Sequence, residues 1–249
     1  MFSFFRRHSS IPFGYADLGV DMHSHILPGI DDGAPDVASA VKLVKGLVDL
    51  GYHKLIATPH IMMDLHPNTP ATIRTAMDEL RAAVAVAGIK VELEAAAEYM
   101  LDENFASLLN ANEYLLTLDG RTVLIEFPQA GAPPNWEETF FTLQTKGYRI
   151  VLAHPERYRY WAGDINVYQR MRDKSVQLQL NLLSLSGYYG KGPARWGKEL
   201  LDQNLASYLG TDLHHERHLH ALAKFPWQKN WTKNTSRDWN NVQLRSLKN

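Results

Sequence analysis

Short runs rich in Val, Ile and Leu recur along this chain, and longer segments of helical period separate one run from the next. No other feature limits the fold as strongly. The strand-like runs are Val20–His25, Lys54–His60, Val91–Tyr99, Thr122–Phe127, Arg149–His154, Val176–Leu182 and Ser207–His214. Helical patterns cover Val37–Leu50, Thr69–Ala87, Glu103–Leu109, Asn135–Lys146, Asn166–Asp173 and Ala194–Gln203. The first places Val37, Val41, Val44 and Val48 near helical spacing and stops before Gly51. The second opens with Pro70 and stops at Gly88, both ordinary boundary signals. Strands alternating with helices pair in parallel through right-handed crossovers. Because no linker-like gap interrupts the series, it predicts an α/β fold of (β/α)7 type, a closed or nearly closed barrel. A doubly wound open sheet is the alternative.

A chain of 249 residues with 45% hydrophobic content can bury one large core. The expected division is an N-terminal arm at 1–19, a barrel at 20–224 and a basic, Trp-containing segment at 225–249. In the arm, Phe2, Phe4 and Phe5 stand beside Arg6 and Arg7, and loose packing on the barrel is expected. The last segment carries Lys229, Lys233, Arg237, Arg245 and Lys248 against Asp238, with Trp227, Trp231 and Trp239 interleaved. Aromatics among cations can bind single-stranded nucleic acid. A net charge of −1 supplies no wider field for that, so packing against the barrel is the expectation and nucleic acid is not an expected partner. With no Cys, the chain has neither disulfides nor thiolate zinc sites, and a cysteine nucleophile is excluded. The N-terminus lacks an apolar segment of signal-peptide length, and nothing approaches the ~20 apolar residues of a membrane span. A cytoplasmic protein without stable membrane insertion is expected.

The chemistry gathers at the strand ends. In Asp21-Met22-His23-Ser24-His25, residues 21, 23 and 25 share one face of a strand. Alone, such a His-x-His is a weak signal. Its company strengthens it: His60 ends the second run, Glu98 the third, Glu126 the fourth, His154 the fifth, and Asp212 and His214 the seventh. Barrel enzymes assemble their sites at the C-terminal ends of strands. One buried His or Glu can be structural, but several together carry a severe cost unless cations neutralise them. His and carboxylates without Cys suit a catalytic zinc, manganese, iron or cobalt site. The donors outnumber what one ion takes, so Glu98 and Asp212 are candidate bridges. His8, His53 and His66 fall outside the pattern and read as surface or loop residues. His215, His218 and His220 read as helix-facing or as supports behind the ligands. Tyr188 and Tyr189, in a Gly-flanked loop, could line the mouth or merely cap the loop.

Together the motifs resemble the PHP (polymerase and histidinol phosphatase) superfamily, and within it the bacterial capsule and exopolysaccharide protein-tyrosine phosphatases. Asp21-x-His23-x-His25 followed by Leu27-Pro28-Gly29-Ile30-Asp31-Asp32-Gly33 resembles the family opening. Ala57-Thr58-Pro59-His60, Glu98-Tyr99, Ile125-Glu126-Phe127-Pro128, Ala153-His154-Pro155-Glu156-Arg157-Tyr158 and Asp212-Leu213-His214 follow in order, over roughly residues 20 to 220. The resemblance implies a distorted barrel of the PHP type holding two or three divalent transition-metal ions, manganese foremost. One ion would take His23, His25, Glu98 and Asp212, another Glu98, Glu126 and His154, and a third Asp32, His60 and His214. Arg157 would grip the phosphate. Arg217 would be the second arginine, although the chain lacks the family's following Arg-Pro there. The implied substrate is phosphotyrosine on the tail of a bacterial tyrosine kinase that governs polysaccharide export.

Phosphomonoester hydrolysis fits these groups. Cations about 3.5–4 Å apart can clamp phosphate oxygens and acidify an attacking water. A guanidinium adds a planar donor pair. A phenol of pKa ~10 leaves more readily than an alcohol, so a dedicated general acid is not obligatory. A small phosphomonoester such as histidinol phosphate is the nearest competing substrate. A metal-dependent amidohydrolase and a non-catalytic barrel with a vestigial site are the remaining alternatives. The amidohydrolase would want a bridging lysine, which no strand end offers.

Overall fold

The structure is a computed structural model that describes residues 14–225 and 239–246. Its elements are α1 (Tyr15–Leu18), β1 (Val20–Asp21), α2 (Val37–Leu50), β2 (Lys54–Ala57), β3 (His60–Ile61), α3 (Pro70–Val86), β4 (Glu92–Ala95), β5 (Glu98–Met100) and α4 (Glu103–Asn110). They continue with β6 (Thr122–Glu126), α5 (Trp136–Thr145), β7 (Arg149–Ala153), α6 (Ile165–Asp173), β8 (Val176–Asn181), α7 (Leu182–Ser186), α8 (Lys191–Asp202), β9 (Ala206–Gly210) and α9 (Glu216–Ala223). Three short 3-10 turns lie at Pro155–Arg157, Arg159–Trp161 and Asn240–Ser246.

Neighbouring strands pair in parallel throughout, in the orders β1-β2-β4 and β3-β5-β6-β7-β8-β9. Two predicted strands are broken. The second splits into β2 and β3 at Thr58-Pro59, where proline has no N–H for the ladder. The third splits into β4 and β5 at Ala96-Ala97, beside that break. Backbone hydrogen bonds carry the ring across the gap, from Ala96 to the Ala57 carbonyl (2.8 Å) and from Glu98 to the Pro59 carbonyl (3.0 Å). The two ends of the series also meet: His25 donates to the Leu213 carbonyl (2.9 Å) and Asp212 to the His23 carbonyl (2.8 Å). The architecture is therefore a distorted (β/α)7 barrel.

Strand residues that face inward form their own cluster, including Val20, Met22, Ile56, Leu124, Val151 and Ala153. Outward-facing strand residues pack with the helices in a larger layer that includes Leu55, Val123, Ile150, Leu178 and Leu180. Burial on both faces explains why the central strands read as continuous apolar runs. The helices are capped as their sequences dictate: Asp36, Thr69 and Asp102 each accept from a backbone N–H of the first turn.

Three short helices are absent from the sequence reading. α1 and α7 span four and five residues, too short for a periodic pattern to declare itself, and α9 spans eight. Arm residues Tyr15 and Leu18 lie in the core, and the Tyr15 hydroxyl donates to the Leu222 carbonyl (2.7 Å). Phe2, Phe4, Phe5, Arg6, Arg7 and His8 lie outside the described residues, as do Trp227, Lys229, Trp231, Lys233, Arg237, Asp238 and Lys248. Of the last segment, Trp239 and Leu244 are buried and Asn241 is fully so.

Candidate metal centre

Every metal-capable residue singled out above comes to one end of the barrel. His23 and His25 follow β1, His60 opens β3, Glu98 opens β5, and Glu126 ends β6. His154 follows β7, and Asp212 and His214 follow β9. Asp32 arrives from the loop after His25. That loop folds back so tightly that a Cβ on Gly33 would lie 2.0 Å from the His25 carbonyl oxygen, so only glycine fits. Two of these residues have left-handed backbone, His154 at φ 32° and Asp212 at φ 51°. Left-handed backbone is uncommon for residues with a Cβ; outside the site, among the described residues, Asn112, Ser175 and Asn204 take it as well.

The donor atoms fall into close sets. His23 Nε2 lies 3.3 Å from Glu98 Oε2 and 3.4 Å from Asp212 Oδ1. His25 Nε2 lies 3.4 Å from each of the same two oxygens and 3.4 Å from His23 Nε2. Separations of this size suit donors that stand about 2.1 Å from a shared cation, and His23, His25 and Asp212 form one such group. The other Glu98 oxygen is 3.1 Å from His154 Nε2, which is 3.6 Å from Glu126 Oε1. Asp32 Oδ1 is 3.6 Å from His60 Nε2 and 3.5 Å from His214 Nε2. The sets overlap, since His25 also groups with Asp32, His60 and His214, and His60 with Glu98 and Glu126.

Several of these atoms lack a hydrogen-bond partner although buried: His60 Nδ1, Glu98 Oε2, Glu126 Oε2 and His154 Nδ1. Orphans of this kind are costly unless something else meets them. A donor set of imidazoles and carboxylates with unmet lone pairs fits divalent transition-metal ions.

Charges pull against one another here. Burial opposes a proton on His23, but the Glu98 and Asp212 carboxylates prevail and lift it to about 9. Burial likewise resists ionisation of Glu98, yet His23 and His60 hold it well below the usual carboxylate range. Asp212 is held low against burial by His214 and His23. Glu126 goes the other way, pushed up to about 8 by burial and by repulsion from Glu98 and Asp212. Burial and the neighbouring His25 push His60 down to about 4. Protons thus take up part of the compensation that cations would supply.

Arg157 stands at the rim on the 3-10 turn after His154, with Nη1 donating to Asp212 Oδ2 at 2.9 Å. Tyr158 fixes that turn: its hydroxyl donates to the Ala153 carbonyl (2.9 Å) and accepts from Phe127 N–H (3.0 Å). The Tyr189 ring lies 4.8 Å from the guanidinium carbon, and Tyr188 packs edge-on against Tyr189 and His218. The mouth is a cavity of about 680 Å³ lined by Met62, Leu65, Met100 and Pro128 as well as by the polar set. Arg217 is exposed in the first turn of α9 and is not among the residues that line this mouth.

The sequence reading misplaced one histidine and missed several supports. His66 belongs to the mouth, its ring stacked on His60 with centroids 5.5 Å apart. A loop position gave no hint of this, because the contact depends on the chain doubling back between Met62 and His66. Asp21 does not join His23 and His25 but accepts from the backbone and hydroxyl of Thr211 (3.0 and 2.6 Å), with burial raising it to about 6. Asp31 accepts from His25 Nδ1 at 2.8 Å and so turns His25 Nε2 toward the donor set. His218 Nδ1 accepts from the backbone N–H of His214 at 3.3 Å.

Comparison with known proteins places these features in context. The family described as capsular polysaccharide synthesis, CpsB/CapC, matches residues 19–223. The tyrosine-protein phosphatase YwqE of Bacillus subtilis is 32% identical over 78% of this chain and 77% of its own length. A putative tyrosine-protein phosphatase, CapC of Staphylococcus aureus, is 26% identical over 78% of this chain and 76% of its own. Among solved structures, one from the pair YwqE of Bacillus subtilis and CpsB of Streptococcus pneumoniae, metal-dependent tyrosine phosphatases, superposes with a TM-score of 0.76. That match has 30% identity and covers 90% of this chain and 93% of the other.

Proposed function

This chain belongs to the CpsB/CapC family of capsular polysaccharide synthesis, and from that premise we propose the reaction its barrel mouth performs. It is a metal-dependent protein-tyrosine phosphatase. The observation that carries the reading is the convergence of His23, His25, Asp32, His60, Glu98, Glu126, His154, Asp212 and His214 at one mouth, where ligand-capable atoms lie within 4.8 Å of one another in four overlapping groups: His25, Asp32, His60 and His214; His23, His25 and Asp212; His23, Glu98 and His154; and His60, Glu98 and Glu126. His23, His25, Glu98 and Asp212 would hold one ion, Glu98, Glu126 and His154 a second, and Asp32, His60 and His214 a third. Manganese is the proposed ion.

Bound divalent cations supply charge neutralisation at the phosphate and acidify the attacking water. The chain's own residues do the rest. Arg157 presents a permanent, planar cation at the rim, where phosphate oxygens not facing the ions would lie. The Tyr189 ring on the guanidinium limits how far it can turn away. Arg217 reaches the phosphate only by swinging in from its exposed position. The apolar lip of Met62, Leu65 and Met100 suits a phenyl ring, and the departing phenolate needs little protonation. The proposed physiological substrate is the phosphotyrosyl tail of a bacterial tyrosine kinase in polysaccharide export, and the proposed location is the cytoplasm. Among the described residues, no helix is long and apolar enough to cross a membrane.

The test is turnover of a phosphotyrosyl peptide, measured beside histidinol phosphate, with elemental analysis of the same preparation. Activity should vanish with a strong chelator and return with manganese. Faster turnover of histidinol phosphate would reassign the substrate, and full activity without metal would end the mechanism.

A further inference from the structure

Of the seven runs read from the sequence, the sixth, which contains β8, ends in no metal-capable residue, yet β8 sends two amides into the centre. Gln179 and Asn181, two apart, both point inward while Leu178 and Leu180 join the outer layer. Both amides are fully buried. Gln179 Oε1 lies 2.8 Å from His23 Nδ1 and also accepts from the backbone N–H of His154 at 3.4 Å. Gln179 Nε2 donates to Asn181 Oδ1 at 2.9 Å, and Asn181 Nδ2 donates to Asp212 Oδ2 at 2.6 Å.

The polarity of this chain is fixed at both ends. The His154 N–H can only donate, so the Gln179 oxygen must face it and His23. The ionised Asp212 can only accept, so the Asn181 nitrogen must face Asp212 and its oxygen Gln179. As a neutral ligand, His23 must therefore keep its remaining proton on Nδ1, which leaves the Nε2 lone pair toward Glu98 and Asp212. The opposite tautomer would direct an N–H at the cation position. Asp212 is divided in the same way: Oδ2 is taken by Asn181 and Arg157, and Oδ1 is left facing His23 and His25.

Reaching His23 from β8 means crossing β9, which pairs with β8 and whose continuation meets the chain after β1 at Ser24–Leu213. The crossing passes over Gly210. A Cβ there would sit 2.7 Å from Gln179 Nε2 and 2.8 Å from the His23 Cβ, so the lane exists only because this position is glycine.

We infer that Gln179 and Asn181 are positioning residues that hold His23 and Asp212 in their metal-ready forms, and that Asn181 keeps Asp212 in place when Arg157 turns to a phosphate. The inference rests on the metal-dependent reading of the same mouth. Partners behind metal ligands typically change affinity 10–100-fold when removed.

The experiment compares wild type, Gln179→Leu and Asn181→Ala by manganese titration calorimetry and by long-range ¹⁵N–¹H spectra of the zinc-loaded proteins. Both variants should bind manganese about 10–100-fold more weakly and keep a cooperative thermal melt when metal-free. Gln179→Leu should lose the His23 Nδ1–H signal. Asn181→Ala should keep it, and the His25 signal held by Asp31 should persist in both. Wild-type manganese affinity in a folded variant, or an unchanged His23 signal in Gln179→Leu, overturns the inference while leaving the metal reading intact. A wild-type protein that binds no manganese overturns both. Should Gln179→Leu fail to fold, Asn181→Ala decides alone through its affinity.

Discussion

Asp212 keeps a left-handed φ of 51°, a conformation that costs a residue with a Cβ about 1–3 kcal/mol. It persists because Arg157 and Asn181 both hold Oδ2 and the backbone N–H donates to the His23 carbonyl. Replacing it by Asn keeps the shape and removes the charge. Asp212→Asn should lose metal and lower turnover by more than the ~10–100-fold typical of a supporting residue; metal content measured beside kcat checks this. Arg157 is different, since its charge is permanent and its partner is a ligand rather than an ion. Arg157→Ala should lower kcat/KM by about 10²–10³-fold, the usual effect of losing one oxyanion donor, with metal content retained. Loss of metal instead would give Arg157 a structural role. Arg217→Ala should chiefly raise KM, because the exposed side chain is not among the residues that line the mouth.

At the level of elements, the barrel seam between β1 and β9 needs help, because these strands pair only beyond their ends. The 3-10 segment at Asn240–Ser246 provides it. Asn241 Oδ1 accepts from Leu209 N–H (3.0 Å), while its Nδ2 donates to the Val20 carbonyl (3.1 Å) and the Leu209 carbonyl (2.7 Å). One side-chain amide thus stands in for a missing stretch of ladder. Leu244 fills the inward-facing cluster beside it, and Arg245 donates to the Leu18 carbonyl (3.2 Å). Asn241→Ala would strand several buried backbone groups, at about 1–3 kcal/mol for each one left unsatisfied. Urea unfolding should show a loss of that order, and an unchanged midpoint would mean the seam closes without it.

Across the whole molecule, metal, protons and stability are linked. His23, lifted to about 9, and Glu126, pushed up to about 8, hold protons at neutral pH that an incoming cation must displace. Manganese affinity should therefore climb as pH rises toward 9 and weaken below 7. Calorimetry in buffers of different ionisation enthalpy should register proton release at pH 7 and less of it at pH 9. No release at pH 7 would contradict the charge picture. A ligand that binds only the folded chain also stabilises it, so chelation should lower the melting temperature, and added manganese should restore it in a concentration-dependent way.

The linear chain alone settled the β/α alternation and the polar residues that follow its apolar runs, although His60 and Glu98 open the short strands β3 and β5 rather than end a strand. Those signals are local: period, caps, and a polar side chain after an apolar run, as at His60, Glu98 and Glu126. Three-dimensional packing decided the rest. Gln179 and Asn181 look like ordinary polar alternation on a strand, and His66 like a loop residue. Their meaning depends on neighbours far away in sequence: His23 across Gly210 for Gln179, Asp212 for Asn181, and a doubled-back loop for His66. Asn241 shows the same limit at the seam, since a side chain standing in for a strand leaves no periodic trace. Periodicity reports which face a residue takes, but the partner it meets there is set by closure of the ring.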